Sequence, residues 1–257
     1  MESVRLEWPT EGYARIVFAR PEKHNAWRHK ELLGIADATE EILDRGARVV
    51  SIVAEGPSYS VGGDIDAFVN AMEKERIGHW ARQGGAGVNS AIARLKGLDA
   101  VVVVGVQGNV AGGGVGYMSV GDFVIAADDL KINLAYVRIG ASPDAGTTWF
   151  LPRLVNPLRA FEMLALGETF DAQGALDWGL VNRVVSTDEL RASVEAMVVR
   201  LLKVPPITLK NIKRLVSTSL ETSLETQLFR EIEGFAAALD TDEFKQCVRS
   251  FMAKAKQ

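Results

Sequence analysis

One cysteine, three histidines and no long apolar run leave little room for several kinds of chemistry. With Cys247 alone there is neither a disulfide framework nor a cysteine metal site. It falls in a helical pattern beside Val248 and Phe251, which predicts a buried thiol and a reducing compartment. His24 and His29 lie in a polar stretch next to Asn25, and His79 stands alone, so no metal site is expected. The longest unbroken apolar stretch, around Val101 to Val106, is far short of the roughly 20 residues a membrane helix needs. The opening MESVRLEWPT lacks the charged-then-apolar layout of a signal peptide. A soluble, cytoplasmic protein with no membrane partner is therefore expected. An excess of one charge is missing as well: 29 basic and 33 acidic residues are interspersed, for a net charge of -4. No basic block exceeds KNIKR at 210–214, so nothing announces a nucleic-acid surface.

What is present is apolar material, 47% of 257 residues, enough for a sizeable core. YARIVFAR (13–20) and ARVVSIVAEG (47–56) are rich in β-branched residues, and KELLGIADATEEILDRG between them carries apolar residues at helical spacing. Strand, helix, strand favours a parallel pair with a crossover. After Asp64 comes a helix, then RIGHWARQGGAG (76–87), which reads as a mobile loop and a candidate lid. VNSAIARLKGL (88–98) reads as a helix feeding the strand AVVVVGV, whose unbroken apolarity predicts burial on both faces. DFVIAADD and KINLAY supply short strands, and from Gly146 onward the period is mostly helical.

Three stretches carry candidate chemistry. In GNVAGGGVGYM (108–118), Gly112, Gly113 and Gly114 let the backbone approach a ligand, and the helix that follows starts with unpaired amides. No Lys-Ser/Thr pair follows the glycines and no G-x-G-x-x-G is formed, which disfavours both phosphate readings. Close helix–strand packing is the alternative reading of the glycines. In YSVGGDIDAF (59–68) a second glycine pair ends a strand, with Asp64 placed to cap the next helix. Two such loops, each giving one N–H to the same oxygen, make an oxyanion hole. In YVRIGASPDAGTTWFLPRLV (136–155), Asp144 is either a helix cap or a general base in an apolar pocket near Trp149 and Phe150.

RPEKHNAW, YSVGGDI, GNVAGGGVGYMSVGDFVIAADD, RIGASPDAGTTWFLPRLV and DAQGALDWGLVNRVV, in that order, resemble the crotonase, or enoyl-CoA hydratase/isomerase, superfamily. The IGxxPDxGxTWxLPR form is similar to the phenylacetate-pathway isomerases, which rearrange a ring epoxide of an aryl-acetyl-CoA and shift double bonds in enoyl-CoA. The resemblance implies an α/β fold: a crotonase-like spiral of ββα repeats over residues 1–190 and a helical C-terminal oligomerisation region over 191–257. It implies a homotrimer or a hexamer built as a dimer of trimers. The substrate it implies is an acyl-CoA thioester, with no cofactor beyond the coenzyme A that the substrate carries. The thioester oxygen would meet the N–H groups of Gly63 and Gly113; losing one such donor typically costs an enzyme about 2.7–4 kcal/mol.

The family's hydratases handle water with two glutamates, one in the helix after the glycines and one further along. Gly116 and Tyr136 stand at those positions, which places hydration in doubt. Asp144 stands where isomerases and aryl-CoA dehalogenases carry a working aspartate, and one carboxylate suits isomerisation. A dehalogenase would also need a histidine near Asn89, whereas His79 lies ten residues earlier. Hydration, hydrolysis or dehalogenation on the same fold is the alternative, and a non-catalytic or RNA-binding relative is a further one. By resemblance, Lys23, Asn25, Ala26 and the backbone of Ser60, Asp64 and Ile65 meet the adenine and pantetheine of CoA. Trp149 lines the acyl pocket. Tyr136 either donates to the substrate or fills that pocket. Phe251 and Lys254 resemble C-terminal residues that touch CoA, often from a neighbouring subunit, with plain helix packing as the alternative for Phe251.

Overall fold

The computed structural model describes residues 2–74 and 76–254. The chain opens with β1 (Val4–Thr10), β2 (Tyr13–Phe18), α1 (His29–Arg45) and β3 (Val49–Ala54), followed by α2 (Ile65–Glu73), α3 (Ile77–Gly97) and β4 (Val101–Val106). Next come β5 (Asn109–Ala111), α4 (Gly113–Ser119), β6 (Phe123–Ala127) and β7 (Lys131–Asn133), then a 3-10 turn (Ala135–Ile139), α5 (Thr147–Val155) and α6 (Pro157–Leu166). The last part holds β8 (Thr169–Asp171), α7 (Ala172–Asp177), β9 (Arg183–Val185), α8 (Leu190–Leu202), α9 (Pro206–Thr218), α10 (Leu224–Leu239) and α11 (Asp242–Lys254).

Six strands form one sheet in the order β1-β2-β3-β4-β6-β9, and β5-β7-β8 form a small second sheet. Tyr13 pairs with Val49 in parallel and the register continues to Phe18 and Ala54, so the crossover through α1 is as expected. Only β1 runs antiparallel in the large sheet. Every residue of β4 is buried, because both faces of the sheet are covered. Val102, Val104 and Val106 join Ile16, Ile52, Ile35 and Leu95 in the main core. Val101 and Val103 join Val49, Val194 and Val198 in a second cluster on the other face, where α8 packs. Each such side chain contributes on the order of 1.5–3 kcal/mol by leaving water. Helix α8, at the expected division, packs on the sheet, and α9 still reaches it, with Leu209 against the second cluster and buried Lys213 donating to Ala100 O at 2.6 Å.

Two expectations are corrected. Residues 77–87 are not a loop: they form the first half of α3, continuous with the helix expected at 88–98. Glycines at 78, 84, 85 and 87, each costing roughly 1 kcal/mol in a helix interior, give this stretch a loop-like composition. Ala91, Ile92 and Leu95 are buried in the second half, and Trp80 meets Phe68 of α2 edge-on at 4.9 Å, so tertiary contacts carry the helix through. Cys247 is exposed rather than buried. Its helix, α11, is amphipathic in period but packs within the chain against α10, leaving Val248 and Phe251 exposed too. Among the described residues no helix is long and apolar enough to cross a membrane.

Candidate active site

Three loops meet at the ends of the strands. Trp27 N–H donates to Gly62 O at 2.8 Å and Asp64 N–H to Trp27 O at 2.9 Å, which lays residues 26–27 alongside 62–64. Arg20, 8% exposed, clamps the two: its guanidinium donates to Ala26 O at 2.9 Å and to Asp64 Oδ2 at 2.7 Å. Burial alone would raise the Asp64 carboxyl, but the hydrogen bond and charge of Arg20 hold it below its ordinary range. Asp64 also caps α2 by accepting from Asp66 N–H at 3.1 Å, as the sequence predicts. Its backbone N–H and C=O are engaged within the protein.

The second glycine loop presses against the first. Ala111 N–H donates to Ser60 O at 2.9 Å. Gly62 has φ +80°, and a Cβ there would stand 2.8 Å from Ala111 O and 3.0 Å from Gly113 N, so only glycine permits the approach. Among the described residues, neither the Gly63 N–H nor the Gly113 N–H has a hydrogen-bond acceptor. Gly63 is exposed and Gly113 half-buried.

The third loop brings Asp144. Its Oδ1 lies 3.7 Å from the position a Cβ on Gly113 would take. Capping is not the work of this side chain: the N-cap of α5 is Gly146, and Thr147 bonds the Asp144 carbonyl at 3.1 Å through its N–H and at 2.9 Å through its hydroxyl. The carboxylate instead accepts from Tyr136 Oη at 2.8 Å. The Tyr136 proton is thus directed at Asp144. Burial first, and then the charge of Asp144, push its ionisation well above the ordinary phenol value. Among the described residues of one chain, nothing encloses Asp144 in the apolar pocket expected around it. Asp144 is exposed, and Trp149 turns to Arg153, whose guanidinium lies 4.0 Å from its ring centre.

Gly116 explains the missing carboxylate. A Cβ there would run into the carbonyl oxygen of Ala145 and stand 2.9 Å from the Ala145 Cβ. Ala145 itself sits at φ +52°, a conformation that non-glycine residues adopt at a cost. The helix after the glycines thus has no space for a second acid at this point.

The remaining expected residues divide clearly. Asn25 is 1% exposed and spends its side chain internally: Oδ1 accepts from Arg20 N–H at 2.7 Å, and Nδ2 donates to Glu55 O and Ser58 O. It is a brace for the loop, as is buried Ser60, whose hydroxyl donates to Asn25 O at 2.8 Å. Lys23, paired with Asp66 at 3.1 Å, and Ile65, 56% exposed, stand at the rim beside Gly63. Ala26 is buried under them. Phe251, 74% exposed, and Lys254 sit on α11 and are not brought to this cluster within the chain. Sequence reasoning missed Arg20, Ala145 and the aromatic pair Phe68–Trp80; the Phe68 ring comes within 2.6 Å of where a Gly63 Cβ would be.

The sequence profile of the enoyl-CoA hydratase/isomerase family matches residues 9–257. The chain belongs to that family. Its relatives within the family bear different names. The 1,2-epoxyphenylacetyl-CoA isomerase of Escherichia coli K12 is 28% identical over 253 residues, covering 95% of this chain and 93% of the relative. The crotonyl-CoA hydratase of Syntrophomonas wolfei is 29% identical over 257 residues, covering 99% and 96%. A Mycobacterium abscessus crystal structure bearing the family designation superposes with a TM-score of 0.94 at 28% identity, over 98% of this chain and 96% of that one. A Thermobifida fusca YX structure in complex with acetoacetyl-CoA gives 0.84 at 28% identity, over 93% and 95%. The α/β crotonase fold, with two sheets and C-terminal helices, is thus shared across the family, and this chain is one of its acyl-CoA enzymes.

Proposed function

We propose that this family member is an isomerase of an acyl-CoA thioester, with Asp144 as its one base. A single observation carries the proposal: a carboxylate stands beside Gly113 while Ala145 fills the space that a second acid at Gly116 would need. The unpaired N–H groups of Gly63 and Gly113 hold the thioester oxygen. Asp144 removes a proton from the carbon next to the thioester, the C–H pair moves into the enolate, and the same carboxyl returns the proton to the vinylogous carbon. No water is added and no cofactor takes part. The rim residues Lys23 and Ile65 face the CoA moiety, and Trp149 borders the acyl group. Ring-epoxide isomerisation, the reaction in the name of the Escherichia coli relative, belongs to the same class.

The proposal extends to assembly. Leu215, Leu228, Ile232 and Phe235 line an apolar groove of about 500 Å³ between α9 and α10, and Leu220 and Leu224 nearby are more than 70% exposed. A trimer or a dimer of trimers covers these faces and brings Phe251 and Lys254 of a neighbouring copy to the CoA. Light scattering in solution tests this, and a monomer at micromolar concentration refutes it.

The test of the chemistry is a panel of straight-chain 3-enoyl, 2-enoyl and aryl-acetyl CoA thioesters in deuterated water, read by mass spectrometry. An isomerase exchanges only hydrogen, whereas a hydratase places oxygen on carbon. Asp144→Asn is expected to lower turnover by about 10² to 10⁴ while CoA-ester binding stays near native. Normal turnover by the Asn variant refutes the assignment.

A further inference from the structure

Tyr136 is 8% exposed and is held on the 3-10 turn that precedes the Asp144 loop. Its ring sits between the two parts of the site: Cζ lies 4.0 Å from the point where a Cβ on Gly112 would stand, and Oη donates to Asp144 Oδ1 at 2.8 Å. Burial and the Asp144 charge push its ionisation up, so the phenol keeps its proton and remains a donor at ordinary pH. Among the described residues, Asp144 Oδ2 has no hydrogen-bond partner. The two carboxylate oxygens are therefore unequal before any substrate arrives.

We infer that Tyr136 is a positioning residue: it pins Asp144 through Oδ1 beside Gly113 and leaves Oδ2 as the single oxygen that takes and returns the substrate proton. The inference rests on Asp144 being the base of the proposed isomerase. Its chemical content is control over where the proton goes. Oδ2 takes the proton from the carbon next to the thioester, and the C–H pair passes into the enolate. When Oδ2 gives the proton back to the vinylogous carbon, the β,γ double-bond pair forms the new C–H bond. The enolate pair then restores the carbonyl, and the double bond moves one place towards it. No co-reactant is consumed. A carboxylate free to rotate would expose the captured proton to water between the two steps, and the proton would be lost to solvent more often.

Tyr136→Phe keeps the ring and removes only the donor. With a straight-chain 3-enoyl-CoA thioester in deuterated water, the inference expects kcat to fall about tenfold with KM within about twofold of native. It also expects a smaller share of product to retain the migrating hydrogen. A purely packing role would not change that share. Unchanged kcat and unchanged hydrogen retention overturn the inference, and so does a loss that falls on KM alone.

3-Fluorotyrosine placed at position 136 gives a readout that does not depend on turnover. Its ¹⁹F resonance is expected to shift between the native chain and Asp144→Asn, and an unmoved resonance overturns the pinning. Asp144→Asn assayed alongside separates the two levels. If it turns over normally, the base assignment falls and the inference with it. If it is inactive while Tyr136→Phe matches native in rate and retention, only the role of Tyr136 falls.

Discussion

Ala145 fills the space in front of Gly116: its Cβ lies 2.9 Å from the place a side chain at 116 would begin, and its carbonyl oxygen is closer still. The obstruction is backbone, held at φ +52° between Asp144 and Gly146, so it cannot swing aside as a flexible side chain would. Gly116→Ala is expected to destabilise the chain by about 1–3 kcal/mol or more, read by denaturant unfolding. Gly116→Glu is expected to disturb the Asp144 loop without creating a hydratase. Oxygen incorporation into product by a folded Gly116→Glu chain would show that the loop yields.

Arg20 and Asp64 form a buried ion pair that ties residues 20–27 to the Gly62–Gly63 turn. Removing one partner leaves the other charge buried, which typically costs 3–5 kcal/mol. Arg20→Ala is expected to lower stability by about that much, and CoA-ester affinity should fall with it because the rim loop loses its anchor. Native affinity in a destabilised but folded variant would separate the anchor from the rim.

Much of this was legible in the sequence, and the failures have a common cause. The unbroken apolar strand at 101–106 announced burial on both faces, and the strand–helix–strand pattern announced a parallel pair. The glycine loops and Asp144 each stand in a contiguous motif, and the structure brings them together. What stayed hidden depends on long-range approach. Arg20 meets Asp64 across 44 positions, and Gly116 meets Ala145 across a reversal of the chain. Tyr136 is only eight residues from Asp144, yet the bond depends on a left-handed Gly140 between them. The stretch at 77–87 misled because its composition is that of a loop while its contacts are those of a helix. Cys247 misled because an amphipathic period does not say whether the apolar side is covered by the same chain.

Glu31, 1% exposed, opens α1. Burial alone would raise its carboxyl, but hydrogen bonds from the Arg28 side chain, the Arg28 N–H and the Ser3 hydroxyl outweigh that and hold it at about 2, against an ordinary 4.5. A depressed carboxyl stabilises the fold above its unfolded value and loses that contribution as pH falls through the folded one. The contribution, on the order of 3 kcal/mol, is therefore present above pH 4.5 and drains away towards pH 2. Glu31→Gln is expected to flatten the pH dependence of stability in that window. Parallel native and variant curves would refute it.

Trp80 holds the first half of α3 to Phe68, and Phe68 abuts Gly63. An edge-on aromatic pair is worth about 0.5–1.5 kcal/mol beyond its buried area. Against several glycines at roughly 1 kcal/mol each, that offsets part of the cost of keeping residues 77–87 helical. Trp80→Ala is expected to speed amide exchange there while 91–97 stay protected. Uniform protection along α3 would show that the helix does not need the contact.

The glycines of α3 stand in open space: a methyl group at Gly84, Gly85 or Gly87 would touch nothing within 4 Å. Alanine can therefore be introduced at these sites one at a time, stiffening the segment in steps without altering a single contact. The rigidity of the helix that backs Phe68, the neighbour of Gly63, thus becomes a dial that an experimenter can turn independently of the reacting groups.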